Sequence, residues 1–306
     1  MTWANQVVQG ILLGGYYALL ACGLSLMFGV MRIINIAHGA FAVLGAYLVW
    51  VLAHHGVSVW LALVPVVAGM AALGWLLQRL VLERSLRFGA LTPLLTTFGL
   101  LIVIENLLFE QFGADERSLF PYLGTLGYDS WTITSQISVA KLYVLIFAVA
   151  VALLGSLHLF LRRSQPGRIL RATAADPDTA ELVGINSRAV YAYAAALALG
   201  TAALAGAFLG MRSSFNPYSG SLQLIFAFEA VVIGGIGSLW GTLLGGVVLG
   251  VSQTVGQQIG QEYFDSSQWF ILSGHVVFLA ILVGRALIGG LDARGGVRSI
   301  LGGETA

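Results

Sequence analysis

The chain has 306 residues, of which 58% are hydrophobic and 9% charged, against roughly 45 to 50% and about 25% in an ordinary soluble domain. This composition excludes both a water-soluble globule and a disordered chain, which needs low hydrophobicity and high net charge. Fifteen Lys plus Arg against 14 Asp plus Glu leave a net charge of +1, so nothing draws the chain toward nucleic acid. The single cysteine, Cys22, lies in an apolar run, so an internal disulfide and a CxxC zinc set are excluded as well.

A helix that crosses a membrane needs about 20 mainly apolar residues. Stretches free of Lys, Arg, Asp and Glu, apart from Glu229, run over residues 7–31, 36–53, 57–77, 88–104, 142–161, 189–211, 222–256 and 269–284. They predict an all-α polytopic membrane protein with about eight embedded segments, a single transmembrane domain over 1–306. The first stretch is too long for a signal peptide, has no basic residue before Arg32 and lacks a clear cleavage site.

Basic residues in short loops stay in the cytoplasm. Arg79, Arg84 and Arg87, then Arg162, Arg163, Arg168, Arg171 and Arg188, then Arg285, Arg294 and Arg298 mark three inner regions. The expected layout has the N-terminus outside, an outer loop at 113–140, a cytoplasmic loop at 162–188 and a cytoplasmic tail at 289–306. It closes only if the stretch 222–256, too long for one helix and interrupted by Gly234, Gly235, Gly237 and Gly241, goes in and returns as a glycine-broken re-entrant pair. Such broken helices commonly line substrate paths. A kink between two packed helices is the alternative.

The 39 glycines include GxxxG pairs at Gly10 and Gly14, Gly206 and Gly210, Gly241 and Gly245, and Gly246 and Gly250. Small residues let helix backbones approach closely in lipid; the spacing suits packing within the chain and a dimer interface alike. Ionisable groups inside spans are functional candidates by default. Glu229 stands within two turns of the glycine break and is expected to face the bundle interior, as a substrate contact or as a paired carboxylate. His38 opens the second span beside Asn35. Glu105, late in the fourth span, and His158 fit structural roles. The candidate path residues are therefore Glu229, Gly234, Gly235, Gly237, His38 and Asn35. The adjacent His54 and His55 are a weak metal pair, and no GxSxG, HExxH or P-loop occurs, so no catalytic residue or metal site is expected.

The inner loop carries its own punctuation. Pro166 and Gly167 are expected to make a turn, and the stretch from Arg168 is rich in helix formers. Asp176 suits an N-cap, Pro177 a first helical position, Asp178 and Glu181 the positive helix end, and Gly184 a stop. A capped, charged, compact element of this kind suits docking to a cytoplasmic partner.

Three segments, ALLACGLSLMFGVMRIINIAHGAFAVLGAY (18–47), PGRILRATAADPDTAELVGIN (166–186) and GGIGSLWGTLLGGVVLG (234–250), resemble the permease subunit of ATP-binding-cassette importers for branched-chain amino acids and related solutes. Span number and motif order agree along nearly the whole chain; the departure is VGRALIGG (283–290), where the family usually has a basic residue, proline and glycine. The resemblance implies an inner-membrane subunit that is not itself an enzyme. Its partners would be a second, similar permease, two ATPase subunits that hold ATP and Mg, a periplasmic binding protein and the surrounding lipid, with no nucleic acid and no cofactor in this chain. Arg168, Arg171, Asp176, Pro177, Asp178, Glu181 and Gly184 would form the coupling element. Relatives carry leucine, isoleucine and valine, but also urea, short amides and aromatic acids. A proton-coupled secondary transporter using Glu229 or Glu105, and a passive channel, remain competing classes.

Overall fold

The computed structural model describes residues 3–86, 88–89, 91–134 and 137–301, without the side chains of 133, 134 and 288–301; Arg87 and residues 302–306 lie outside the described part. Helices α1 (Trp3–Met31) and α2 (His38–His54) are followed by α3 (Val59–Leu77), which runs through a π turn (Gln78–Leu82) into α4 (Glu83–Leu86). After α5 (Thr92–Phe112) come two short 3-10 turns and a hairpin of β1 (Ser130–Thr134) and β2 (Ile137–Ala140). The remainder is α6 (Lys141–Arg163), α7 (Gln165–Ala175), α8 (Pro177–Leu182), α9 (Ser187–Arg212), α10 (Ser219–Gly234), α11 (Leu239–Tyr263) and α12 (Trp269–Leu301). Among the described residues seven helices are long and apolar enough to cross a membrane, with α2 and α10 as shorter apolar helices.

Helices α1 and α9 are apolar all round and form the centre: their spanning windows are 89% and 83% buried, against 22% for α6. Lipid tails provide no hydrophobic drive between helices, so close backbone approach does the holding. The GxxxG pair of α1 lies on a GxxxG pair of α11. A Cβ on Gly10 would stand 2.9 Å from the Gly250 carbonyl oxygen, and one on Gly246 would stand 2.5 Å from that of Gly14. Hydrogen bonds close the same seam from end to end: Gln6 donates to Gln258 (3.1 Å), Thr254 to the Gln6 carbonyl (2.9 Å), and Thr242 to Ser25 (3.1 Å). The other pairs also face their own chain, Gly245 against Ala230 of α10 and Gly206 against Ala42 of α2.

The fourth span carries Glu105 and continues to Phe112 as α5; the Glu105 carboxylate accepts a hydrogen bond from Ser221 of α10 (3.0 Å). Pro166 and Gly167 do not make a turn. They open α7, where Ser164 accepts the Gly167 N–H (3.0 Å) and the missing proline donor costs nothing. Within the region expected as the C-terminal tail, α12 runs on to Leu301. The outer loop contains the two-stranded hairpin, a small exception to an otherwise all-helical fold.

Arg79, Arg162, Arg163, Arg168, Arg171, Arg188 and Arg285 gather at the bundle end that carries α7 and α8. Arg188 reaches Glu83 (3.4 Å), Arg171 the Arg162 carbonyl (3.4 Å), and Arg285 the carbonyls of Val232 and Ile233 at the end of α10 (2.7 Å each). The hairpin and the α1 N-terminus lie at the opposite end, where Gln9 bonds the Ser138 carbonyl (2.8 Å).

Gly14→Val should lower the thermal midpoint of the purified protein and its yield, because a Cβ there would lie 2.4 Å from the Val247 Cα and forced overpacking costs about 1 to 3 kcal/mol or more. Gly69→Ala, with open space around the new Cβ, should be neutral or stabilising in the same melt.

Candidate functional site

The helical path breaks twice at mid-depth, and the breaks share one construction. After α1 the chain reads Asn-Ile-Ala-His-Gly (35–39), and after α9 it reads Asn-Pro-Tyr-Ser-Gly (216–220). In the first, the Asn35 side-chain oxygen accepts the Ala37 N–H (3.1 Å) and its backbone carbonyl accepts the His38 N–H (3.2 Å). In the second, Asn216 accepts the Tyr218 N–H (3.0 Å) and, through its carbonyl, the Ser219 N–H (3.1 Å). Each asparagine thus substitutes for a missing helical partner and starts a new helix, α2 in one case and α10 in the other. The two starts touch: a Cβ on Gly39 would lie 1.9 Å from the Gly220 carbonyl oxygen.

Tyr16 and Tyr17, at the middle of α1, set the depth. Tyr16 donates to Gln223 of α10 (2.7 Å) and Tyr17 to Gln253 of α11. The first turn of α10 therefore lies near half-depth, and α2 begins beside it. Irregular backbone survives there only under protein cover; Asn35 and His38 are both 0% exposed. The His38 Nε2–H donates to the Leu20 carbonyl (2.9 Å).

Further polar groups occupy the same level. The Arg212 guanidinium lies over the Tyr16 ring (4.6 Å to its centroid). Glu229, 3% exposed, is hydrogen-bonded to His275 of α12. Ser221 of α10 donates to the Glu105 carboxylate of α5.

The candidate residues therefore fall in separate places. Asn35 and His38 hold the α2 start, and Glu229 reaches toward α12. Gly234, Gly235 and Gly237 lie at the basic end, level with Gly29, so the glycine turn is not the mid-depth break; that break is at the α10 start. Gly234 is pressed against Gly241, with a Cβ 1.9 Å from its carbonyl oxygen, while Gly235 and Gly237 adopt φ +94 and +80. Ser238 then caps α11 by accepting the Gly241 N–H (3.1 Å).

A cavity of about 560 Å³ separates this turn from α7. Its lining includes His158, Arg162, Arg171, Gly237 and Ser238, which brings the glycine turn and the candidate coupling element to one place. The element itself is two helices. Asp176 ends α7 and caps α8, accepting the N–H groups of Asp178 (3.1 Å) and Thr179 (3.2 Å). The Thr179 hydroxyl and these backbone donors hold its carboxyl below the usual range. Pro177 opens α8, Gly184 ends it with φ +86, and Arg168 donates to the Arg163 carbonyl (3.3 Å). Asp178 and Glu181 are exposed, and beside them Leu182 and Val183 form an apolar tip, 87% and 74% exposed.

Sequence reasoning passed over this tip, and it passed over Asn216, Gly220, Ser221 and Arg212. A signal for the latter group existed: Met-Arg precedes an Asn and a Gly at nearly equal spacing in 31–39 and 211–220. Among the described residues no cluster of His, Cys, Asp and Glu could hold a metal ion.

Residues 6–284 match the family described as "Branched-chain amino acid transport system / permease component". The chain belongs to that family. It is 34% identical over 263 residues to the high-affinity branched-chain amino acid transport system permease protein BraD of Pseudomonas aeruginosa, covering 82% of this chain and 85% of the relative. It is 30% identical over 292 residues to LivH of Escherichia coli K12, covering 91% and 92%. The fructose import permease FrcC of Rhizobium meliloti matches at 31% over 143 residues, 44% of this chain and 39% of that protein. No solved structure matches. The chain is thus a multi-pass membrane permease subunit.

Gly234→Ala should prevent correct folding, because backbone stands where the methyl would go. Gly235→Ala meets no atom and should cost only the strained φ, about 1 to 3 kcal/mol. Monodisperse yield in detergent and thermal denaturation separate the two.

Proposed function

We propose that this permease forms half of the translocation path of an ATP-driven importer for branched-chain amino acids. The observation that carries the reading is the similarity to BraD and LivH over more than four-fifths of each chain. In this reading a second, related permease completes the path, two ATPase subunits holding ATP and Mg bind beneath, and a periplasmic binding protein delivers the solute. The gathering of arginines at one end supports a cytoplasmic placement of that end in the inner membrane, with the N-terminus outside and the C-terminal region inside.

Helices α7 and α8 are then the coupling element. Three features support this: Asp176 and Gly184 bound α8 firmly, Leu182 and Val183 offer an apolar tip for a partner groove, and Arg171 lines the cavity under the glycine turn. A push on α8 would reach α7, then the 234–238 turn, then α10, whose far end is the mid-depth break. Asn35 and His38, fully covered in this conformation, shape the break, and Glu229 ties α10 to α12 through His275. A shift between two states needs contacts that differ between them, and the cavity gives the turn room to move.

The decisive experiment is reconstitution of both permeases, the ATPases and the binding protein in proteoliposomes. ATP-dependent uptake of leucine, isoleucine and valine is expected; uptake of urea alone, or uptake indifferent to ATP, would overturn the reading. Ala180→Pro removes the Ala180 N–H bond to the Asp176 carbonyl (3.1 Å) and disrupts α8 by about 3 kcal/mol or more. It should cut uptake at least tenfold while the subunit still inserts, whereas the exposed Asp178→Asn should change it less than twofold, as exposed ion pairs contribute little. In a Cys22→Ala background, Glu262→Cys should react with an impermeant thiol reagent added outside whole cells, and Arg168→Cys should not.

A further inference from the structure

One carboxylate at mid-depth is only partly covered. Glu105 lies within α5, hydrogen-bonded to Ser221 (3.0 Å), and Ser221 is two residues from Gln223, which bonds Tyr16 at the middle of α1. Glu105 is thus as deep as the helix break. Unlike Glu229 it is only half-buried, and it borders an open face on which Phe98, Ile102 and Asn106 of α5 and Ser221 and Ile225 of α10 are exposed. Among the described residues no Lys, Arg or His forms an ion pair with it.

A charge in this position facing hydrocarbon is expensive, and such groups face bundle interiors or water-filled cavities. The face is also open within its own chain: the spanning part of α5 is only 28% buried. Water or a partner subunit must therefore cover it.

We propose that the α5–α10 face is a wall of the solute path, and that Glu105 receives the ammonium group of a zwitterionic amino acid in transit. The inference rests on reading the chain as half of an amino-acid import path. The Ser221 hydroxyl holds one carboxylate oxygen, leaving the other for a charge-assisted N–H···O bond from the solute. Phe98, Ile102 and Ile225 around it offer an apolar surface to an aliphatic side chain. Urea and simple amides carry no cation for this carboxylate, so the arrangement selects amino acids over them.

The test uses the assembled importer in proteoliposomes and has two independent arms. In a Cys22→Ala background, Ser221→Cys and Asn106→Cys should react with a charged, water-soluble methanethiosulfonate at least tenfold faster than Leu107→Cys, a 65% exposed residue of the same helix. Equal, slow reaction at all three would show that lipid covers the face and would overturn the proposal. Glu105→Gln should lower leucine uptake at least tenfold while the other subunits still co-purify, and Glu105→Asp should recover most of the loss. Wild-type uptake by Glu105→Gln would overturn the proposal. So would loss of co-purification, which would assign the carboxylate to an ion pair with the second permease. If the wild-type complex carries no amino acid at all, the parent reading fails instead, and the labelling arm, which needs no solute, still decides whether water reaches the face.

Discussion

Close backbone approach between α1 and α11 is the constraint on which the rest of the molecule depends. In lipid an apolar side chain gains nothing by leaving the hydrocarbon for a neighbouring helix, so helices are held by dispersion contacts and by buried hydrogen bonds. Gly10, Gly14, Gly246 and Gly250 remove the side chains that would keep the backbones apart. Once the helices meet, Gln6, Ser25, Thr242 and Thr254 find partners across the same seam. This packed pair fixes the depth of Tyr16 and Tyr17, and with them the depth at which α10 is anchored.

The mid-depth break follows from a second constraint, that no backbone donor or acceptor survives unpaired away from water. Asn35 and Asn216 meet it in the same way, each using its side chain and its carbonyl to turn the chain into a new helix. One break follows a helix that runs toward the basic end and the other follows a helix that runs away from it, so the pair has the character of an inverted repeat meeting at Gly39 and Gly220. Covering the breaks required the two most buried helices, α1 and α9, to flank them. The exposed side chains of α5 and α10 stand outside this covered centre.

The two ends of α10 do different work. Its start belongs to the mid-depth belt, while its end, locked by Gly234 against Gly241 and by Arg285 on the last carbonyls, belongs to the turn above the α7 cavity. As one continuous helix, α10 links these two ends rigidly.

Much of this was legible in the linear chain. Membrane class, the number and rough limits of the spans, the α8 caps at Asp176 and Gly184 and the break near 234–238 all rest on local properties: apolar runs of sufficient length, turn chemistry and capping residues act within a few neighbours. The partner of Glu105 was not legible, because Ser221 lies more than a hundred residues away along the chain. Which glycine pair packs on which helix, the burial of Asn35 and His38, the pairing of Glu229 with His275 and the displacement of the glycine turn from the mid-depth break were decided by tertiary structure alone. In each case the reason is that a polar or small residue in lipid takes its meaning from the partner brought to it, and that partner is set by helix packing, not by spacing along the chain.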